Sequence, residues 1–286
     1  MMIRRLPIVA LAAVLSLSVA SCSSSTTGTS NAPDAGVSEK AQQALEDIKG
    51  QVLSKGPNGE TPSPASAAEL TPEEIEKVKA LNAKAAVVMH YGGNDWATAQ
   101  VNGLKSEFEK LGIKVIATTD ANFKPDKQVS DIETVMTQDP DIIVSIPTDP
   151  VATASAYKKA AEAGTKLVFM DNVPQGLTAG QDYVSVVSAD NFGNGVVSAH
   201  QMAKALGGKG KIGLVFHQAD FFVTKQRYEG FKETITKEYP EIQVVEEKGI
   251  AGPDFAGDAQ AAANAMLSKY LTCPASGRCG MFLQKA

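Results

Sequence analysis

The stretch "AAVVMHYGGNDWATAQVNG", residues 85–103, decides the fold. Its apolar run, Ala85 to Met89, has the length of a buried strand and is too short for a helix. Gly92 and Gly93 break the run, and past Asn94 the residues Val101, Leu104, Phe108 and Leu111 recur at helical spacing. An all-apolar strand that passes through a glycine turn into an amphipathic helix is the opening unit of a parallel sheet covered on both faces. Trp96, the only tryptophan of the chain, stands at that junction, where a core residue would be oddly placed.

Outward from this unit the alternation continues. "KVIATT" (114–119), "DIIVSI" (141–146), "KLVFMD" (166–171), "YVSVVS" (183–188), "KIGLVF" (211–216) and "IQVVEE" (242–247) read as strands. Between them, helices are expected over a segment carrying Val129, Ile132, Val135 and Met136, and over 150–163, 191–206, 223–238 and 257–270. The pattern specifies an α/β fold with doubly wound parallel sheets.

Within it, "VNGLKSEFEKLGIKVIATT" is similar to "YEGFKETITKEYPEIQVVEE", with Gly103 matching Gly230. Two similar βαβα units imply two lobes, and "YVSVVSADNFG" is the expected crossing, near 188–191. The copies then diverge. The first continues into a buried strand, whereas the second reads "LSKYLTCPASGRCGMFLQKA", with no apolar run long enough for the matching strand. The second lobe is therefore expected to be incomplete, and the chain about one fifth to one quarter short of two full lobes.

Ahead of the fold, "MMIRR" and "LPIVALAAVLSLSVA" have the basic and apolar regions of a signal peptide. The run ends in "VASC", which resembles a bacterial lipobox and implies cleavage before Cys22 and lipidation of its sulfur. "SSSTTGTSNAPDAG" reads as a flexible tether. A weak helical pattern follows at 38–53, then a helix opened by Thr71, Pro72 and Glu74 as a capping box, packing beside the first lobe. Cys273 and Cys279 are expected to be able to pair outside the cytoplasm. A net charge of −5 gives no reason to expect nucleic acid.

In open α/β sheets ligands bind where parallel strands end. The residues there are Asn94, Asp95 and Trp96; Pro147, Thr148 and Asp149; Asp171 and Asn172; His217, Gln218, Asp220, Phe221 and Phe222, with Arg227 one turn on; and Asp254 and Phe255. Aromatic faces cover the CH side of a sugar ring, while amides and carboxylates bond its hydroxyls. Asp149 is expected to cap the helix starting at Pro150, and His90 and His217 to be structural. "GKGKIG" satisfies a dinucleotide-loop pattern but runs into a strand rather than out of one. No nucleophile, base and orienter occur together, so no enzyme and no cofactor are expected, and no metal site either.

The order "NDW", "IPTDP", "FMDN", "ADN.G", "KQRYEGF" and "PDF" resembles the type I periplasmic binding proteins, specifically the ribose/galactose-type substrate-binding components of ABC transporters. The resemblance covers about residues 84–270. It implies Asn94, Asp95 and Trp96 as first-lobe contacts with Trp96 stacking on a sugar, Asp171 and Asn172 as a hydroxyl-binding pair, and Arg227 and Phe255 as second-lobe contacts. Asn172 stands where the family often has Arg, and Ile146 where it is often polar, which points away from ribose toward polyols or other small sugars.

The organisation implied is a signal peptide (1–21), a lipidated Cys22 with tether and short helices (22–83), a first sugar-binding lobe (84–188), a partial second lobe (189–272) and an atypical tail (273–286). The expected partners are a small sugar or polyol, an ABC permease and, through the lipid anchor, the outer face of the membrane. The alternatives are a binding protein that presents sugar to a membrane receptor, or a non-functional truncated copy. A DNA-binding repressor is disfavoured by the signal peptide.

Overall fold

A computed structural model describes residues 35–252, 254–270 and 279–283, the last segment by its backbone. The leader, Cys22, the residues just after it and the Cys273–Cys279 pairing lie outside the described residues.

The chain opens with α1 (Ala35–Asp47) and, after an extended stretch, α2 (Pro72–Ala80). The expected capping box is present: Thr71 Oγ1 accepts from Glu74 N–H, and the Glu74 carboxylate accepts from Thr71 N–H. The first lobe follows as β1 (Lys84–Met89), α3 (Asp95–Lys110), β2 (Lys114–Asp120), α4 (Pro125–Met136), β3 (Ile142–Ser145), α5 (Ala154–Glu162), β4 (Lys166–Met170) and β5 (Ser185–Val187). Its five strands lie in the order β2-β1-β3-β4-β5, and every pair is parallel.

The apolar run that opened the reading explains this sheet. Successive strand side chains point to opposite faces. Ala86 and Val88 join Ile132, Val135 and Tyr157 of α4 and α5 on one side. Ala85, Val87 and Met89 join Ala97 and Phe108 of α3, and Val78 of α2, on the other. Both faces are buried, so no polar residue interrupts β1.

After β5 the chain passes through α6 (Asn191–Leu206) into a second sheet. The second lobe continues with β6 (Gly210–His217), α7 (Phe222–Glu238), β7 (Ile242–Ile250), α8 (Phe255–Tyr270) and β8 (Cys279–Leu283). Ile212 and Leu214 face α6 and α7, and Val215 faces Met266 of α8.

Three expectations need correction. The strand thought missing from the second lobe is present: β8 pairs in parallel with β6, from Lys211 opposite Cys279 to Val215 opposite Leu283, giving the order β7-β6-β8. It lies inside the segment read as a tail. A five-residue edge strand bonds to one neighbour only, so "CGMFL" suffices where a long apolar run was sought. Second, the stretch read as tether and short helices is docked from α1 onward. Ala41 is fully buried with Ala199, Ala203 and Leu206 of α6, a contact that the small alanine side chains permit and that hydropathy alone does not reveal. Third, the helix after Asp149 begins at Ala154 rather than Pro150. The Asp149 carboxylate still caps, accepting from the amides of Val151 and Ala152, but it closes a turn that precedes the helix.

Candidate functional site

In the first sheet, strand order reverses between β1 and β3, and in open α/β sheets ligands bind at the carboxyl ends of strands beside such a reversal. The loop after β3 is held there by Gln128 of α4, which is fully buried. Its Nε2 donates to Ile146 O at 2.8 Å, and its Oε1 accepts from Thr148 N–H at 2.7 Å and Thr148 Oγ1 at 2.9 Å.

Two groups of side chains gather at the strand ends. One is aromatic and spans both lobes. Trp96 meets the edge of His90 at 6.5 Å between ring centroids, and His90 meets Phe123 at 5.1 Å. Phe123 stacks on Tyr91 at 4.7 Å and touches Phe255 of the second lobe at 5.5 Å. Phe255 stacks on His217 at 5.0 Å, which packs on Phe221 at 4.9 Å. Trp96 is 47% exposed and so offers an open face. Phe123 sits in a turn where it and Asn122 both have positive φ, 56° and 49°, a conformation that non-glycine residues seldom adopt. Phe123 N–H to His90 O at 2.8 Å and Asn122 N–H to Asp120 Oδ1 at 2.7 Å hold it. Burial lowers the His90 imidazole pKa to about 4 against the opposing pull of Asp120, and its buried Nδ1 has no hydrogen-bond partner among the described residues.

The other group is a polar chain across the crossing. Ser188 Oγ donates to Asp171 Oδ1 at 2.8 Å; Asn191 Nδ2 donates to Ser188 Oγ at 2.8 Å and to Ala189 O at 3.0 Å. Arg227 Nε donates to Asn191 Oδ1 at 2.7 Å. Burial lowers the Arg227 pKa, and the charge of Asp171 opposes that shift. Asp171 has φ 61°, outside the ordinary range for an aspartate.

Local sequence explains how Arg227 reaches Asn191. A Cβ at Gly195 would fall 2.3 Å from Arg227 O, and one at Gly230 would fall 2.3 Å from Phe192 O. The two glycines let α6 and α7 touch backbone to backbone, so the start of α6 and the first turns of α7 share one corner.

Of the expected contacts, Trp96 and Phe255 lie in the aromatic line, and Asp171 and Arg227 in the polar chain. Asn172 is buried, and its Oδ1 has no hydrogen-bond partner among the described residues. Asn94 caps α3, its Oδ1 accepting from Ala97 N–H at 2.8 Å, and Asp95 lies exposed in the first turn of that helix. His90 and His217, expected to be structural, pack within the aromatic line. Tyr91, Phe123, Ser188 and Asn191 escaped the reading. Asn191 sits in the quoted "ADN.G", whose asparagine a buried helix start could have flagged; the turn holding Phe123 has no glycine to mark it.

Residues 85–279 match the model of the periplasmic binding protein domain family. The ribose import binding protein of Bacillus subtilis is 30% identical over 139 residues, 48% of this chain and 44% of the relative. A putative rhizopine-binding protein of Rhizobium meliloti is 24% identical over 51% of this chain and 48% of its own length. The chain thus spans about half the length of the curated relatives it matches. Among solved structures, an arabinose binding protein from Geobacillus stearothermophilus superposes with a TM-score of 0.59 at 28% identity, covering 71% of this chain and 66% of that one. An ABC sugar transporter subunit from Rhodobacter sphaeroides gives 0.61 at 26% identity, with 70% and 68% covered.

Proposed function

We propose that this chain, which belongs to the periplasmic binding protein domain family, captures a small sugar or polyol at the strand ends between its two lobes and delivers it to an ABC permease from an extracytoplasmic, lipid-anchored position. The observation that carries this reading is the polar chain from Asp171 to Arg227, which links one charged side chain from each lobe through the exposed Ser188 and the buried Asn191. The exposed face of Trp96, past the end of β1, suits the apolar side of a pyranose or cyclitol. The Asp171 carboxylate accepts from hydroxyls and the Arg227 guanidinium donates to them, so the pair reads vicinal diols in both senses.

The relatives are named for ribose import and arabinose binding, which supports a monosaccharide-sized guest. Isothermal titration of the full chain against ribose, arabinose, allitol and myo-inositol tests the reading: saturable heat with at least one is expected, and a folded chain silent with all four would sink it. For the anchor, Cys22→Ala should move the protein from the membrane fraction to the soluble one; an unchanged distribution would refute lipidation.

A further inference from the structure

The segment before the first lobe does not simply lead into it. Its residues grip the second lobe at the crossing. Leu53 N–H donates to Asp190 Oδ2 at 2.9 Å, and Ser54 N–H and Oγ both donate to Asp190 Oδ1, at 2.9 and 2.8 Å. Ser54 Oγ in turn accepts from Phe192 N–H at 2.9 Å. A helix start has amides without partners inside the helix. At α6, Asp190 takes the amide of Gly193 at 2.9 Å and Ser54 takes that of Phe192, so a residue from another part of the chain completes the cap. Ser54 is only 6% exposed. Gln226 Nε2 donates to Lys55 O at 3.0 Å from α7, and α1 is fastened by Lys40 to Glu238 at 2.9 Å and Lys204 to Gln42 at 2.8 Å.

Further along, the same segment reaches the first lobe. The chain then enters α2, whose Val78 packs on the first-lobe core.

We propose that residues 51–80 form a second connection between the lobes beside the one at 188–190, and that Ser54 is a positioning residue for the ligand site, acting through Asp190 and the first turn of α6 on Asn191 and hence Arg227. The positioning part rests on the sugar-site reading above; the connection does not. Three bonds to one carboxylate and one to a helix amide make the junction stiff, and Asn191 is the next residue along.

The experiment uses the full chain with Ser54→Ala and Ser54→Thr. Amide exchange at Phe192 and Gly193, without ligand, should quicken roughly tenfold in Ser54→Ala, as for loss of hydrogen bonds to a charged group, and return toward wild type in Ser54→Thr. In titrations with whichever of ribose, arabinose, allitol and myo-inositol the wild type binds, Ser54→Ala should bind several-fold more weakly, with Ser54→Thr restoring affinity. Unchanged exchange in Ser54→Ala overturns the connection. Faster exchange with unchanged affinity overturns the positioning role. A wild type that binds none of the four removes the sugar reading and the positioning role with it, while exchange still decides the connection. Should Ser54→Ala lose helical circular dichroism, Gln226→Leu substitutes: it removes only the bond to Lys55 O and should quicken exchange at Leu53 and Ser54, whereas unchanged exchange there overturns the connection.

Discussion

Arg227 Nε lies 2.7 Å from Oδ1 of Asn191, a side chain with no exposed surface. The contact joins α7 to the residue immediately past the crossing, so the orientation of the guanidinium depends on how the chain leaves the first lobe. Asn191 spends its amide hydrogens on Ser188 and Ala189, which leaves its carbonyl oxygen aimed at Arg227.

Asn191→Ala would take away the acceptor of the half-buried Arg227 Nε and one partner of the exposed Ser188 Oγ. Losing a hydrogen bond to a charged group costs about 1–3 kcal/mol. Urea denaturation should show a loss in that range, and sugar affinity should fall with it. A variant as stable as wild type would mean that water replaces the lost amide.

Gly230→Ala and Gly103→Ala should have opposite effects, although the two positions match in the repeat. At Gly230 a Cβ meets Phe192 O at 2.3 Å, so α6 and α7 must move apart; at Gly103 nothing among the described residues lies within 4 Å. The first substitution should destabilise by several kcal/mol, about the scale of core overpacking or more. The second should stabilise by about 0.5–1 kcal/mol through helix propensity. Thermal melts of the two variants would settle it, and equal shifts would contradict the packing described.

Trp96→Ala should leave stability within about 1 kcal/mol of wild type, since the indole is 47% exposed. Sugar affinity should drop roughly tenfold, the scale of a lost aromatic contact. Trp96→Phe should recover part of it. Titration calorimetry checks both; full affinity in the alanine variant would remove Trp96 from the site.

The Phe123 and Phe255 rings, 5.5 Å apart, connect the lobes directly. A double-mutant cycle to leucine at both positions, read by denaturant unfolding, should give a coupling of about 0.5–1.5 kcal/mol. Strict additivity would show that the rings do not act together.

His90 sets a pH dependence whose sign is fixed. Its folded pKa of about 4 lies below the ordinary 6.5, so between these values the unfolded chain binds more protons. The contribution is complete above about pH 6.5 and is lost as pH falls toward 4, amounting to at most roughly 3 kcal/mol. His200 and His217 are also lowered by burial and act in the same direction. His90→Leu should therefore flatten, without abolishing, the fall in stability between pH 6.5 and 4; an unaltered slope would place the titration elsewhere.

The order of elements was legible because parallel strands buried on both faces must be apolar throughout, and helices between them must be amphipathic. β1 and α6 are read from their letters almost to the residue. Trp96 and Phe255 were legible as large aromatics at strand ends, and Asp171 and Arg227 as polar residues at the same edge. The pair Gly103 and Gly230 shows where letters mislead: each matches the other in the repeat, yet one faces open space and the other a neighbouring backbone.

By itself, then, the sequence determined the α/β alternation and the two-lobe plan, because hydrophobic periodicity and helix-capping are local properties of a few consecutive residues. Only the tertiary structure decided that α1 and Ser54 belong to the second lobe, that "CGMFL" forms a strand, that Phe123 meets Phe255, and that Asn191 holds Arg227. Each of these is a contact between residues far apart in the chain, and its energy depends on where the intervening elements pack rather than on any pattern along the chain.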